Sequence, residues 1–215
     1  MIAVTFALPN ESRDFVRLLA RGNHEVVILH TGVGQKITRE RIEPFLAQHR
    51  VDSLISSGFA GGTAPLLGVG DLLLAENFSD PVMLENAREL LIAHVGKLAT
   101  AESVIETEEA RDKFASEQGA LAVDMETAVI AQACAARKLP MLSLRVISDT
   151  AAAPFPAPAS VLFSLARQKT EPLALAKHLA RHPSAVVRLS RFARQISSAR
   201  NSLTNALTVL VRELR

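Results

Sequence analysis

Short apolar runs alternate with amphipathic stretches along the first 150 residues, and this alternation leaves few folds open to the chain. The runs 1–8, 26–30 and 53–57 are mostly apolar, and each is followed within two residues by proline or glycine. Such runs predict buried strands. The stretch between the first two, ESRDFVRLLARG, carries its apolar residues at helical spacing.

The same alternation continues toward residue 150. It predicts further helices over about 36–50, after Pro81 and over about 126–138, and further strands in DLLLAE, GALAVDM and PMLSLRVIS. Strands that alternate with helices form a largely parallel or mixed sheet with helices on both faces. We therefore expect an α/β fold, in which ligands bind at the carboxyl ends of the strands.

The composition is that of one domain without extreme charge. With 215 residues, 48% hydrophobic and 21% charged, the chain is long enough to bury a sizeable core. The net charge of +2 does not indicate a nucleic-acid partner. Cys134 is the only cysteine, the first residues lack the features of a signal peptide, and no uncharged apolar run approaches the ~20 residues that span a bilayer. We therefore expect a cytoplasmic protein.

Three carboxylates stand where predicted strands end. The stretch LAVDMETAVIA places Asp124 and Glu126 in an otherwise apolar run, where an unpaired charge is costly. Asp149 ends the strand MLSLRVISD and opens the proline-rich loop SDTAAAPFPAPAS. Carboxylates at the same end of neighbouring strands indicate a site. The alternative for Glu126 is that a glutamate simply favours the first turn of the following helix.

Two glycine-containing segments offer backbone to a ligand. HTGVGQ follows one strand and SGFAGG follows another, and both permit a ligand to approach the backbone closely. HTGVGQ lacks the third glycine of a dinucleotide-binding motif because Ile37 takes that position, so a tight strand-to-helix turn is an equal alternative. His178 and His182 are spaced for one helix face but have no third ligand, so we expect no metal site.

Taken in order, HTGVGQ, SGFAGG followed by LGVGD, AVDMETAVIA and LRVISD resemble the motifs of the purine nucleoside phosphorylase and nucleosidase superfamily. The similarity covers roughly residues 1–155 and is greatest to the methylthioadenosine/S-adenosylhomocysteine nucleosidase branch. The resemblance implies a three-layer α/β/α fold with a central mixed sheet. It also implies an enzyme that needs no cofactor and releases adenine from an adenosyl substrate by cleaving the N-glycosidic bond.

The resemblance assigns roles to residues of these motifs. It implies that Glu126 binds the ribose 2′ and 3′ hydroxyls and that Met125 packs against the sugar. Asp149 would protonate or hydrogen-bond purine N7, Glu11 in ALPNES would activate water, and Arg145 would lie near that water. Cleavage creates an oxocarbenium-like ribosyl centre and a poor leaving group. One carboxylic acid must therefore donate a proton while another carboxylate stabilises positive charge.

Some positions depart from the family pattern. Phe59 replaces a serine that many members place near the nucleophile, and Ser57 is the candidate to compensate. The family's base-binding strand corresponds to TAESVI, where Val104 stands in place of the usual aromatic residue. Base recognition is then expected from backbone groups near Val104 and Ile105, with Phe155 as the candidate for stacking.

The nucleophile is predicted to be water. Phosphorylases of this superfamily hold phosphate with arginines in the amino-terminal loop and after the third strand, whereas Glu11 would repel phosphate here. Arg13 is a complication because it is close in sequence. The alternatives are a phosphorylase with phosphate as co-substrate and a soluble methylthioadenosine-type nucleosidase. The non-enzymatic alternative, suggested by Phe59, is a nucleoside-binding or membrane-scaffold protein.

The carboxyl-terminal segment is basic. From Arg181 onward the sequence has seven arginines and one acid, Glu213, with apolar residues three or four positions apart. We divide the chain into a nucleoside phosphorylase-like catalytic domain, residues 1–180, and a basic amphipathic helix, residues 181–215. This helix is expected either to pack on the same domain or a partner subunit, or to contact a membrane.

A short middle segment combined with this long basic tail resembles the hopanoid-biosynthesis-associated phosphorylase-like proteins. That resemblance implies removal of adenine from adenosylhopane, a lipid-linked nucleoside. It places the protein at the periphery of the membrane, on its inner face. We also expect a homo-oligomer.

Overall fold

A mixed sheet of seven strands forms the centre of the protein in the computed structural model, which describes residues 1–20, 26–105, 107–153, 163–164, 168–170, 181 and 185–213. The strands of this sheet are β1 (Ile2–Phe6), β2 (Val26–His30), β3 (Ser53–Gly62), β4 (Leu72–Ala75), β5 (His94–Thr100), β6 (Ala120–Asp124) and β7 (Met141–Asp149). A separate two-stranded ribbon pairs β8 (Phe163–Ser164) with β9 (Lys169–Thr170).

Helices cover both faces of the sheet. Those of the described residues are α1 (Pro9–Leu19), α2 (Gln35–Gln48), α3 (Pro81–Leu90), α4 (Glu108–Glu117), α5 (Thr127–Ala135) and α6 (Ala185–Glu213). One apolar cluster joins α1, α3 and α6 to the sheet, and a second joins α2 and α5 to it. Neighbouring strand residues alternate between the two clusters, as in Ala3 and Val4. The predicted three-layer α/β/α fold is confirmed.

Strand β3 connects the parts of the sheet. It runs parallel to β1 over its first residues and parallel to β7 over most of its length. At Gly61 and Gly62 it pairs antiparallel with β6. The strand order is β2-β1-β3-β6-β5-β4-β7, and the β3–β7 pairing closes the last five of these strands into a ring. The carboxyl ends of β1, β2, β3 and β7 therefore face the same way.

Two predicted boundaries were wrong. SGFAGG does not follow the third strand but lies within β3, because β7 pairs with β3 through Gly61. TAESVI is not a strand over its whole length, since β5 ends at Thr100 and residues 101–105 connect it toward α4.

The apolar face of α6 packs against the sheet. Leu203, Leu207 and Leu210 are fully buried in the cluster that also contains Phe15 of α1. Arg200 is buried as well and pairs with Asp14 of α1. The part of α6 with described side chains therefore uses its apolar stripe for contacts within the chain. Among the described residues no helix is both long and apolar enough to cross a membrane.

Candidate active site

A small recess lies beside β3, where β1 and β2 end. Its lining residues are Thr5, Phe6, Ala7, Glu11, Thr31, Ser57, Gly58, Phe59, Glu126, Ile130 and Arg145. Half of the ten predicted site residues are in this lining, although they are as much as 134 positions apart in sequence. These residues come from α1, from within β3 and β7 and from the start of α5. β6 pairs antiparallel with β3 and is not a neighbour of β7, so the expectation that Asp124 and Asp149 end neighbouring strands at the same edge was wrong.

Glu11 points back into the recess from the first turn of α1. That helix begins at Pro9, whose fixed φ suits a first helical position. The carboxylate is buried, and Oε2 accepts a hydrogen bond of 3.0 Å from the backbone N–H of Ala7. Burial raises the pKa of Glu11 to about 7, and backbone hydrogen bonds and the charge of Arg145 offset this only in part.

Glu126 reaches the recess from the start of α5. Its Oε1 accepts a 2.7 Å hydrogen bond from the backbone N–H of Gly34, in the HTGVGQ turn. Gly34 has a φ of +91°, which favours glycine at this position. Burial raises the pKa of Glu126 to about 8, the nearby charge of Asp124 adds to the rise, and the Gly34 N–H opposes it. The turn therefore does bind a carboxyl group, and that group belongs to the protein itself.

Asp124 is the residue that caps α5. Its Oδ2 accepts a 3.1 Å hydrogen bond from the backbone N–H of Thr127, whereas Glu126 sits at the cap position without a capping hydrogen bond from its side chain. Oδ1 of Asp124 accepts from the hydroxyl of Thr100 at 2.8 Å. The carboxylate also pairs with the buried guanidinium of Arg145, with Nε at 3.1 Å from Oδ2. Asp124 is thus engaged on both oxygens.

Arg145 lines the recess but has no free donor. Its Nε donates to Asp124, and its other four N–H donors are directed at neighbouring oxygens of β3, β7 and α5. These acceptors are the carbonyl oxygens of Ser56 and Leu144 and the hydroxyls of Ser56 and Thr127. An arginine offers five N–H donors, so the side chain is saturated. We placed Arg145 near the attacking water; in the structure it can act there through its charge but not as a donor.

Asp149 lies outside the lining of the recess, at the end of β7. Its Oδ1 accepts a 2.7 Å hydrogen bond from the hydroxyl of Ser148, and its Oδ2 pairs with Nη1 of Arg111 from α4. Burial raises the pKa of Asp149, against the effects of Ser148 and Arg111. Gly61 of β3 stands directly beside it in the sheet register.

The hydroxyl of Ser57, proposed to compensate for Phe59, donates to the carbonyl oxygen of Thr5 at 2.8 Å. Phe59 itself is partly buried, packs on the core and lines the recess. Arg13 does not line the recess: its side chain is half exposed, with Nε 3.6 Å from Asp14 Oδ1. Arg13, which could have bound phosphate, therefore does not face the recess.

The remaining predicted residues have different surroundings. The methyl group of Met125 lies 3.9 Å from where a Cβ on Gly34 would be, so Met125 adjoins the glycine turn. Val104 and Ile105 follow β5 rather than belonging to it, and Ile105 packs on an alanine-rich cluster beneath α4. Phe155, His178 and His182 lie outside the described residues. Within the described part of the chain, no group of three side chains is arranged to hold a metal ion.

Sequence reasoning missed Arg111 and Thr5. Arg111 lies in EEARDKFASE, which has the charge pattern of an exposed helix, and nothing in that pattern marks it as the partner of Asp149. Thr5 sits within the apolar run of β1, and its buried hydroxyl oxygen has no hydrogen-bond partner among the described residues. Thr5 could have been noticed in the sequence as a polar residue within an otherwise apolar strand.

Comparison with known proteins identifies the family of the chain. Residues 78–188 match the model of the family described as the phosphorylase superfamily. A 5′-methylthioadenosine/S-adenosylhomocysteine nucleosidase of Chromohalobacter salexigens is 29% identical over 163 residues, which cover 59% of this chain and 68% of that protein.

Solved structures share the fold. The S. pneumoniae nucleosidase of the same name, bound to a transition-state inhibitor, aligns with a TM-score of 0.72 and 21% identity, covering 100% of this chain and 99% of that one. Futalosine hydrolase of Helicobacter pylori aligns with a TM-score of 0.72 and 16% identity, covering 99% and 97% of the two chains.

These matches confirm the predicted enzyme superfamily and the resemblance to methylthioadenosine/S-adenosylhomocysteine nucleosidases. They do not bear on the resemblance to hopanoid-associated proteins. Since the matched segment spans just over half of the chain and includes β5, β6, β7 and Glu126, the chain belongs to the phosphorylase superfamily.

Proposed function

We propose that the protein hydrolyses the N-glycosidic bond of an adenosyl nucleoside, with water as the nucleophile. The observation that carries this proposal is the charge of the recess, which is lined by two carboxylic acids, Glu11 and Glu126, and by one arginine without a free donor. A phosphate dianion needs fixed cationic donors. Among the described residues the lining offers none, so water is the better nucleophile.

Two backbone donors of the glycine turn are also engaged within the protein. The Val33 N–H donates to Oε1 of Gln168 at 2.7 Å, and the Gly34 N–H donates to Glu126. By contrast, the hydroxyl oxygen of Thr5 is buried in the recess wall without a partner among the described residues. It is available to a water molecule or a sugar hydroxyl.

In the proposed reaction, Glu11 takes a proton from water as the water oxygen attacks C1′. The bond between C1′ and N9 of the purine breaks, and its electron pair leaves with the base, to which Asp149 donates a proton or hydrogen bond at N7. A general base works best when its pKa is near the working pH, and the pKa of about 7 suits Glu11 to this role. Glu126 would bind the ribose hydroxyls, which would add to the one hydrogen bond that its carboxyl group accepts among the described residues, from the Gly34 N–H.

Arg145 is proposed to act by its charge. It favours the ionised forms of both Glu11 and Glu126, and it holds Asp124 in place beneath them. Ser57 donates to Thr5, so toward a bound water it offers an acceptor rather than a donor.

The test is adenine release from adenosine, from methylthioadenosine and from an adenosyl lipid, each with and without phosphate. We expect release without phosphate and a loss of at least 100-fold in kcat for Glu11→Gln and Asp149→Asn. The matched control is Glu40→Gln, an exposed position on α2. A strict phosphate requirement would show a phosphorylase instead. Unchanged release by Glu126→Ala and Asp149→Ala proteins that fold normally would exclude the enzymatic assignment altogether.

The proposal also includes a more specific substrate, an adenosyl nucleoside linked to a lipid. Its support is the pair of exposed arginines Arg191 and Arg194 on α6, which can face an anionic surface. The buried apolar stripe of α6 is not available to enter a membrane, so contact would be electrostatic. We expect the Arg191→Glu/Arg194→Glu protein to lose binding to anionic vesicles but keep cleavage of methylthioadenosine. Equal vesicle binding by both proteins would remove the membrane proposal.

A further inference from the structure

Asp149 is covered in the structure. Its side chain is 2% exposed, and each carboxylate oxygen already accepts a hydrogen bond. One donor, Ser148, belongs to the same strand and is itself buried. The other, Arg111, comes from α4 and is 14% exposed. Arg111 is therefore the outer of the two groups, and the one that must move before a purine base can reach the carboxylate.

Arg111 is incompletely satisfied where it lies. Nη1 pairs with Asp149, but Nε is buried and has no hydrogen-bond partner among the described residues. A buried donor without a partner is unfavourable, because its hydrogen bond to water is lost and not replaced. Arg145 gives the contrast, since all five of its donors have acceptors. The position of Arg111 thus carries a cost that is relieved when the guanidinium leaves.

Gly61 provides the space for this contact. A Cβ at this position would lie 2.8 Å from Nη1 of Arg111 and 3.3 Å from Oδ2 of Asp149. The backbone of Gly61 is not in the left-handed region, so its conformation does not require glycine. The absence of a side chain on β3 is what lets Arg111 extend from α4 to the end of β7.

We propose that Arg111 is a displaceable counterion of Asp149: a positioning residue that pairs with the carboxylate in the unliganded protein and gives way to the purine base. This inference rests on the proposed function, because it takes Asp149 to be the group that meets purine N7. The guanidinium moves without bond making or breaking, and the carboxyl group takes up a proton from solvent as the positive charge withdraws.

Charge explains why displacement helps the reaction. A guanidinium beside a carboxylate favours the ionised form, whereas a buried carboxyl without it favours the protonated form that can donate to N7. Arg111 is the charged group of the described residues that faces Asp149. β3 presents Gly61 at this level, β4 pairs with β7 through leucines only, and Asp124 of β6 is bound to Arg145. Withdrawal of Arg111 therefore removes one of the groups that oppose the rise in the pKa of Asp149 caused by burial.

The test measures adenine affinity by calorimetry between pH 6 and 9 for wild type, Arg111→Ala, Arg111→Lys, Asp149→Asn and the Arg111→Ala/Asp149→Asn double variant. We expect Arg111→Ala to bind adenine about tenfold more tightly at pH 8, because no ion pair has to be broken. The pH at which affinity falls should also move upward. The adenine affinity of Arg111→Lys should lie between those of wild type and Arg111→Ala. The Arg111→Ala/Asp149→Asn double variant should differ less than twofold in affinity from Asp149→Asn.

The outcomes separate this inference from the proposed function. Unchanged or weaker adenine binding by Arg111→Ala, with cleavage lost in Asp149→Asn, would overturn the counterion role alone. A tenfold gain that persists in the double variant would also overturn it. Full cleavage by Asp149→Asn would overturn the assignment of Asp149 in the proposed function, and the role of Arg111 with it.

Discussion

The structure contains two buried aspartate–arginine pairs that differ in how completely they are satisfied. Asp124 and Arg145 are both almost fully buried, and every donor of the arginine has an acceptor. Asp149 and Arg111 share one ion-pair contact, and Nε of Arg111 lacks a partner within the described residues. The first pair is built as permanent support beneath the recess, and the second as a contact that can be exchanged for a ligand.

The largest expected effect comes from breaking the saturated pair. Arg145→Ala leaves Asp124 buried without its counterion and deprives Ser56 and Leu144 of donors, so we expect a loss of about 3–5 kcal/mol in the free energy of unfolding. Arg111→Ala should cost less, about 1–2 kcal/mol, because Asp149 keeps Ser148 and can take up a proton. Urea unfolding at pH 7 compares the two. Equal losses would contradict the difference between the pairs.

The carboxylates that have no arginine partner of their own should lower stability at alkaline pH. Glu11 has a folded pKa of about 7, above the ordinary value of 4.5, so the folded state holds a proton that the unfolded state releases. Stability therefore falls as pH rises from about 4.5 to 7. Glu11→Gln removes this dependence and should be more stable than wild type by up to about 3 kcal/mol at pH 9 and equal to it at pH 4. Parallel stability–pH curves would refute the raised pKa.

Substitution by alanine should lower stability by different amounts at Gly34, which contacts Glu126, and at Gly61, which adjoins Asp149. Gly34 has space for a methyl group but a φ of +91°, so Gly34→Ala should cost about 1–2 kcal/mol through backbone strain. The strain also moves the N–H that binds Glu126, so KM for the nucleoside should rise. Thermal unfolding and steady-state kinetics measure both effects. A neutral change would mean that the turn does not constrain Glu126.

Gly61→Ala should have the smallest effect on stability. The new methyl group would meet Nη1 of Arg111, the end of a flexible side chain that can move aside, so we expect a cost below about 1 kcal/mol. Adenine affinity should increase as it does in Arg111→Ala, because the same contact is lost. Calorimetry at pH 8 checks this, and weaker adenine binding would show that Gly61 leaves room for the base rather than for Arg111.

The sequence was sufficient to predict the fold, because alternating apolar runs and amphipathic stretches are local signals. Carboxylates at predicted strand ends pointed to Glu126 and Asp149, whereas Glu11 came from the family resemblance, and the roles of all three stay predictions. It did not distinguish their surroundings. Asp124 and Glu126 are two positions apart, yet one is saturated by Arg145 and the other faces the recess. That difference depends on contacts across the sheet.

The pairing of Arg111 with Asp149 could not be predicted from the sequence for a related reason. Arg111 lies on a charged helix, and its role depends on the missing side chain of Gly61 on another strand. The extent of β3 was underestimated because pairing with β7 overrides the low strand preference of glycine.

Water is proposed as the nucleophile because the described residues that line the recess include no cation with a free donor. Cleavage of methylthioadenosine in H₂¹⁸O buffer containing phosphate tests it directly, with the sugar product analysed by mass spectrometry. We expect one ¹⁸O atom at C1′ of a free methylthioribose and a rate independent of phosphate. A sugar 1-phosphate, formed at a rate that rises with phosphate concentration, would contradict the claim.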